Sequence, residues 1–583
     1  MTSRRTPYAA ALGLALSFAA TSLAPPPRAA TLPAELGTRG MVAADHPLAS
    51  RAGLELLRQG GNAVDAACAT VFALGVVNPA GSGLGGGGFL MVHVPGEAAP
   101  RILDFRETAP GKAHRAMFLG AGVPRAASQR GGLAVAVPGE VRGCAEALRR
   151  YGKLPLAKVL APALRLARGG FPVGRHLAAA TLHLGPALST SEELKREFLS
   201  QSRPLRPGEL LRRPLLAQTL ALLAQQGPDA FYRGRIGRDL LERVAASGGI
   251  LGAEDLASYK VVERAPLRVT YRGHEVFTMP PPSSGGVALV QVLGMLGRRP
   301  LAPLGHNSSR YLHRVAEALK HAFADRARFL GDTDFVKVPV ERLTSPALAA
   351  ELERRLGERV LAPNRYGSAP SPVAPPSDGG TSHVSVIDGR GMAVALTTTI
   401  NTPFGALVAG RRSGVILNNE MDDFSTRPGK PNAFGLVQSE ANAIAPGKRP
   451  LSSMSPTLVL KGGRTVLALG ASGGPTIITA TLQVLLNVLD FELELGEAVA
   501  RSRIHHQGQP NELLVERDLP EDVRSALAYR GHHVKEVARP YTAVQAVQVR
   551  EDPAAPPAPG ATASRPRLLG AADPRKHGAP AGY

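Results

Sequence analysis

From about Leu36 to Leu356, apolar positions recur at helical spacing in stretches such as Leu48 to Val77 and Ser308 to Phe329. Short apolar runs and Gly or Pro punctuation separate them, which predicts a mixed helix and strand fold. No internal repeat is present. The rhythm stops between Ala362 and Ser377, where closely spaced prolines among small residues support neither a helix nor a sheet strand. That segment reads as a flexible linker running up to Gly380. Beyond it, Thr381 to Asp388 has strand character, Gly389-Arg390-Gly391 forms a turn, and Met392 to Asn401 continues as a second β-rich run. A three-residue loop sets Thr381 opposite Thr399, whereas a two-residue loop would set it opposite Thr398. Pro456 to Leu460 and Thr465 to Leu469 read as another hairpin around Gly462-Gly463. Gly470 to Gly474 then turns into a helix with Pro475 at its first position.

The N-terminus follows a different pattern. Arg4 and Arg5 precede an apolar stretch from Tyr8 to Leu23, with small residues and Pro25 to Pro27 after it. This predicts a signal peptide over residues 1–30, cut after Ala24 or near Ala30, and hence a periplasmic or secreted protein. The apolar run is short for a membrane span, and no later stretch is long and apolar enough to be one. Ser3-Arg4-Arg5 hints at twin-arginine export.

Composition narrows the function. The 583 residues carry 68 Lys+Arg against 47 Asp+Glu, a net charge of +21, which raises the question of a polyanion partner. The basic residues are scattered, however, aromatics make up 4% with no Trp, and no cations interleave with stacking rings as in a nucleic-acid groove. A solvated Arg-rich surface accounts for the charge, and no nucleic-acid partner is expected. Cys68 and Cys144 are the two cysteines; they form neither a disulfide framework nor a four-thiol zinc site and read as small buried side chains.

Thr381 has two readings. A threonine beginning a strand is ordinarily just a β-branched residue suited to a sheet. Here it follows two glycines and a linker, the pattern of a hidden N-terminus. Cleavage of the bond from Gly380 to Thr381 would give Thr381 an α-amine with a pKa of about 7.7 to 8.0, a usable general base at neutral pH. One residue would then supply both nucleophile and base. Gly379 and Gly380 let the backbone reach the geometry that attack on the preceding carbonyl requires.

The block from Asp378 to Asp388 (Asp-Gly-Gly-Thr-Ser-His-Val-Ser-Val-Ile-Asp), Leu417 to Ser425 (Leu-Asn-Asn-Glu-Met-Asp-Asp-Phe-Ser) and Arg449 to Pro456 (Arg-Pro-Leu-Ser-Ser-Met-Ser-Pro) resemble the signature blocks of gamma-glutamyltranspeptidases, also called glutathione hydrolases. The resemblance continues in Asp104 to Pro110, Pro280 to Gly286, Ala324 to Asp332, Arg503 to Gln507 and Asp573-Pro574, in order from about Gly40 to Tyr583. It implies a four-layer αββα N-terminal-nucleophile hydrolase of the α/β (α+β) class. The chain would be cut into a large subunit, residues 31–380, and a small catalytic subunit, residues 381–583, that stay interlocked. The implied reaction transfers a gamma-glutamyl group from glutathione or related amides to water or to an amino-acid or peptide acceptor.

A gamma-glutamyl donor carries an α-carboxylate and an α-ammonium, so its pocket needs a cation with donors and a cluster of acceptors. By resemblance, Arg106 takes the carboxylate with Ser452 and Ser453, while Asn401, Glu420 and Asp423 surround the ammonium. Thr399 orients the Thr381 hydroxyl, and the N–H groups of Gly473 and Gly474 form an oxyanion hole where a strand gives way to a helix. Read without the family, Arg106 or Asp423 would be an ion-paired residue, Ser452-Ser453 a turn, and Gly473-Gly474 a helix-start turn. The glycine run Gly81 to Gly88 lacks the Lys-Ser/Thr ending of a phosphate loop and is expected to be structural; no cofactor and no metal are assigned. His383 is expected to be structural too. Pro428 to Ala445 resembles a lid loop in which Phe434 stands where some members have Tyr, so that it covers the pocket by packing. The nearest rival is an acylase of the same fold acting on glutaryl amides, against which Asn401, Glu420 and Asp423 argue.

Overall fold

The computed structural model describes residues 33–366, 380–537, 542–550 and 567–583. The expected signal peptide and the linker residues 367–379 lie outside the described residues. The first residues of the expected linker depart from the reading: Pro363–Arg365 forms a 3-10 turn, and the Tyr366 hydroxyl donates to Glu317 at 2.5 Å and accepts from the Leu361 N–H. One aromatic residue with a buried acceptor within reach anchors a segment whose prolines argue against regular structure.

Two seven-stranded sheets form the centre. The first runs Ala579–Gly582, Gly40–Ala44, Gly380–Asp388, Ala393–Asn401, Gly87–His93, Arg101–Phe105, Val262–Arg264, with each neighbouring pair antiparallel. The second runs Glu35–Gly37, Arg567–Ala572, Ala543–Arg550, Arg464–Ser472, Thr457–Lys461, His274–Thr278, Leu267–Tyr271, also antiparallel throughout. Both sheets mix strands from before and after Gly380. A cut there would leave each piece pairing with the other along its edges.

Every residue of Gly380–Asp388 and Ala393–Asn401 is buried, so alternation along them separates two kinds of interior rather than core from water. Val384, Val386, Val394 and Leu396 join the core shared with Ala63–Val77. Ile387, Ala393 and Ala395 join Leu458, Leu460, Leu467 and Leu469 of the facing sheet. Behind that sheet pack Gly285–Leu296 and Thr476–Leu489, and Ser309–Phe329 lies against the first of these. The order helix, sheet, sheet, helix is the four-layer αββα arrangement the sequence implies.

Leu48 to Val77 divides into Pro47–Arg58 and Ala63–Val77. Gly60 takes φ +89° between them, a region glycine enters without steric cost. Asn62 then caps the second helix, accepting from the Val64 and Asp65 N–H groups while Asp65 accepts from its own. That second helix is buried all round and so is not amphipathic. No helix among the described residues is long and apolar enough to cross a membrane.

Candidate active site

The hairpin places Thr381 directly opposite Thr399, with Ile387 opposite Ala393 across the three-residue loop. The register is therefore the first of the two alternatives. It shifts between Gly380 and Thr381, where Gly380 pairs with Asn401. Thr399 is the hub: its Oγ1 lies 3.0 Å from Thr381 Oγ1, donates to the Gly380 carbonyl at 2.7 Å and accepts from the Asn401 N–H at 2.8 Å. A hydroxyl has one proton, and the Gly380 carbonyl takes it, so Thr381 is the donor within the threonine pair. Asn401 leaves the strand at φ +76°, a left-handed conformation that Asn tolerates better than most residues, and its side-chain amide donates to the Asn419 carbonyl at 3.0 Å. Gly380 has no room for a side chain; a Cβ there would meet the Ala80 oxygen and the Thr402 carbonyl group at 2.7 Å.

The glycine run Gly81 to Gly88 serves the same hairpin. A Cβ on Gly86 would lie 1.9 Å from the Thr399 carbonyl oxygen and one on Gly88 2.1 Å from that of Thr397. These glycines allow backbone to pack on backbone beside Thr399. His383 is buried within the sheet, its ring nitrogens bonded to Thr397 and Ser385 at 2.8 and 3.1 Å. Burial pulls its pKa down to about 3, and it does not line the cleft.

That cleft is lined by Thr381, Thr399, Asn401, Glu420, Asp423, Ser452, Ser453, Gly474 and Arg106, together with Arg326, Phe434 and Leu436 among others. Gly473 and Gly474 follow the end of the Arg464–Ser472 strand at φ +131° and +60°. Helix Thr476–Leu489 begins just beyond, so Pro475 stands immediately before the first helical residue rather than on it. The Phe434 ring covers Gly474, where a Cβ would approach it to 2.8 Å. Its loop is tied down by Asn432 Nδ2 donating to Asp423 at 3.2 Å and the Ala433 N–H donating to Asp422 at 2.7 Å.

At the charged end Arg106 is fully buried. Its Nη2 donates to Asp423 at 2.6 Å, its Nη1 to Glu420, and its Nε to the Pro450 carbonyl at 3.2 Å. Glu107 stands 3.8 Å from the same guanidinium, and among the described residues no hydrogen bond reaches either of its carboxyl oxygens. Burial raises the pKa of Glu420, Asp423 and Glu107, the last to about 8, while Arg106 pulls each back. Burial disfavours the Arg106 charge, but the three carboxyls outweigh it. Arg106 thus contacts the two acids expected around an ammonium, which sequence spacing did not reveal.

The resembling blocks converge here. The Ser452 N–H donates to the Pro282 carbonyl at 2.8 Å, and the Ser284 N–H and hydroxyl return to the Ser452 carbonyl at 2.8 and 2.7 Å. The Arg449 N–H donates to Asp332 at 2.8 Å. Arg326, inside the Ala324 to Asp332 block, reaches the cleft from the Ser309–Phe329 helix. The sequence gives Arg326 no distinguishing sign: flanked by Asp325, Ala327 and Arg328, it reads as one more charged position on a helix. Among the described residues, His313, Glu317 and His532 form a grouping with metal-ligand reach. None of them lines the cleft, and Lys320 and Tyr366 already occupy both Glu317 oxygens.

A family model described as Gamma-glutamyltranspeptidase matches residues 49–583. The chain is 44% identical over 499 residues to the "Glutathione hydrolase proenzyme" of Escherichia coli (strain K12), covering 85% of this chain and 86% of that one. It is 40% identical over 524 residues to the "Acylase ACY 1 proenzyme" of Pseudomonas sp. (strain SE83), covering 88% and 91%. Among solved structures, a cephalosporin acylase from Bacillus halodurans aligns with a TM-score of 0.83 at 28% identity, over 96% of this chain and 99% of that one.

Proposed function

The chain belongs to the gamma-glutamyltranspeptidase family, as a self-processing gamma-glutamyltransferase and glutathione hydrolase, and we propose that Thr381 carries its chemistry. Cleavage comes first. Thr381 Oγ1 adds to the Gly380 carbonyl carbon, the C–N bond breaks, and its nitrogen takes up a proton. Water then hydrolyses the resulting ester, leaving a Gly380 carboxylate and a Thr381 α-amine. Thr399 serves both ends of this step: it accepts from the attacking hydroxyl and donates to the carbonyl oxygen that becomes negative. The products are a large subunit, residues 31–380, and a small one, residues 381–583, held together by the mixed strands of both sheets.

In turnover the freed α-amine takes the proton from Thr381 Oγ1, which attacks the gamma-glutamyl carbonyl. The N–H groups of Gly473 and Gly474 stabilise the oxyanion, and the departing amine takes the proton back. Water or an amino-acid or peptide acceptor resolves the acyl-enzyme. Arg106, Ser452 and Ser453 hold the donor's α-carboxylate; Asn401, Glu420 and Asp423 hold its ammonium. The observation that carries the reading is the Thr381–Thr399 pair at 3.0 Å in one cleft with this charged cluster. Glu420 and Asp423 also favour an ammonium-bearing acyl group over a glutaryl one, although relatives include an acylase. The N-terminal segment fits export to the periplasm or beyond.

Thr381→Ala is expected to remain one chain on a denaturing gel and to be inactive toward a gamma-glutamyl anilide. Wild type that turns this substrate over while staying a single band would refute the mechanism.

A further inference from the structure

Two buried arginines line the cleft, and their hydrogen bonding differs. Arg106 already serves Glu420 and Asp423 with its two Nη atoms. Arg326, 2% exposed, donates from Nε to Ser284 Oγ at 3.0 Å, while among the described residues no acceptor meets its Nη1. A buried guanidinium without a hydrogen-bonded carboxylate is electrostatically costly. Burial lowers its pKa to about 10, and Asp423 offsets this in part. Such a group has a standing demand for an anion. Its direction is set by the Ser284 hydroxyl, which accepts from Arg326 and donates to the Ser452 carbonyl at 2.7 Å, tying the guanidinium to the serine loop.

We infer that Arg326 is a specificity-determining residue whose guanidinium, not paired with a carboxylate, receives the donor's α-carboxylate alongside Arg106, Ser452 and Ser453. The inference rests on reading this cleft as the gamma-glutamyl site. Carboxylate also occurs on the peptide acceptor, and a second cavity shares Arg326 and Leu436 with the first, so the test must separate the two sources.

Wild type, Arg326→Gln and Arg326→Lys would be compared after both variants are seen to mature into two bands. The substrates are L-γ-glutamyl-4-nitroanilide, 4-aminobutyryl-4-nitroanilide, which lacks only the α-carboxylate, and glycylglycine as acceptor. Loss of one charge-assisted hydrogen bond should raise the KM of Arg326→Gln for the gamma-glutamyl anilide about ten- to hundredfold. Its kcat/KM for the aminobutyryl anilide and its KM for glycylglycine should stay within about twofold of wild type. Arg326→Lys, which keeps the charge on a different geometry, should fall between. Equal losses on both anilides would make Arg326 a structural support and overturn the inference, as would a change confined to glycylglycine. Should Arg326→Gln fail to mature, Arg326→Lys decides: a KM increase for the gamma-glutamyl anilide alone supports the inference, and its absence overturns it. Wild type that showed no preference for the carboxylate-bearing anilide would instead refute the underlying assignment of the cleft.

Discussion

Replacing Thr399 by valine keeps the volume and the β-branch but removes the hydroxyl at the centre of the site. Three hydrogen bonds go with it: to Gly380 O at 2.7 Å, with Thr381 Oγ1 at 3.0 Å, and from the Asn401 N–H at 2.8 Å. Gly380 and Asn401 are buried, so each unsatisfied backbone group costs about 1–3 kcal/mol of precursor stability. The effect on self-cleavage is separate. As Thr381 attacks, the Gly380 oxygen gains negative charge and the bond from Thr399 becomes charge-assisted. Its loss raises the barrier by about 1.5–3 kcal/mol, slowing cleavage about ten- to 150-fold. Densitometry of the full-length band against time after purification measures this directly, with a thermal shift reporting the stability loss. Thr399→Ser, which restores the oxygen, should recover most of the rate. A folded Thr399→Val precursor that matured as fast as wild type would show that Thr399 plays no part in the cleavage step.

Asp423→Asn should lower kcat/KM for a gamma-glutamyl anilide by tens to hundreds of fold, the worth of about 1.5–3 kcal/mol, while largely sparing a glutaryl anilide that has no ammonium. The precursor should still mature, because self-cleavage does not involve the donor's ammonium and Arg106 keeps its hydrogen bond to Glu420; equal damage on both anilides would assign Asp423 to the fold. Acid should weaken the protein through His383, whose pKa lies near 3 when folded and about 6.5 when unfolded. The folded state excludes a proton that the unfolded state binds, so this contribution is complete above about pH 6.5 and lost as pH falls toward 3. In the unprocessed Thr381→Ala chain, His383→Gln should reduce the slope of unfolding free energy between pH 4 and 6 by up to about 1.4 kcal/mol per pH unit; an unchanged slope would mean that His383 titrates normally.

Much of this site was legible because its information is local. The strand, turn and strand around Gly389 to Gly391 follow from alternation and glycine placement, and loop length reduced the partner of Thr381 to two residues. The hairpin at Gly462-Gly463 and the helix near Pro475 are equally local, the latter displaced by one residue because helix ends are soft. Tyr366 was less legible. Its anchoring to Glu317 depends on a helix many residues upstream, and the surrounding prolines gave no hint of that contact.

By itself, then, the sequence determined the elements around Thr381, since those depend on residue type and short-range spacing, and through the resemblance of its ordered blocks it implied the four-layer class and a set of candidate residues. Tertiary structure decided how those residues meet. It chose Thr399 over Thr398, placed the Arg106 guanidinium between Glu420 and Asp423, and turned Arg326 into the cleft with a donor to spare. Hydrogen bonding and charge pairing between segments hundreds of residues apart depend on ångström-scale separations. Packing of two sheets and their helices creates those separations, and no spacing along one chain encodes them.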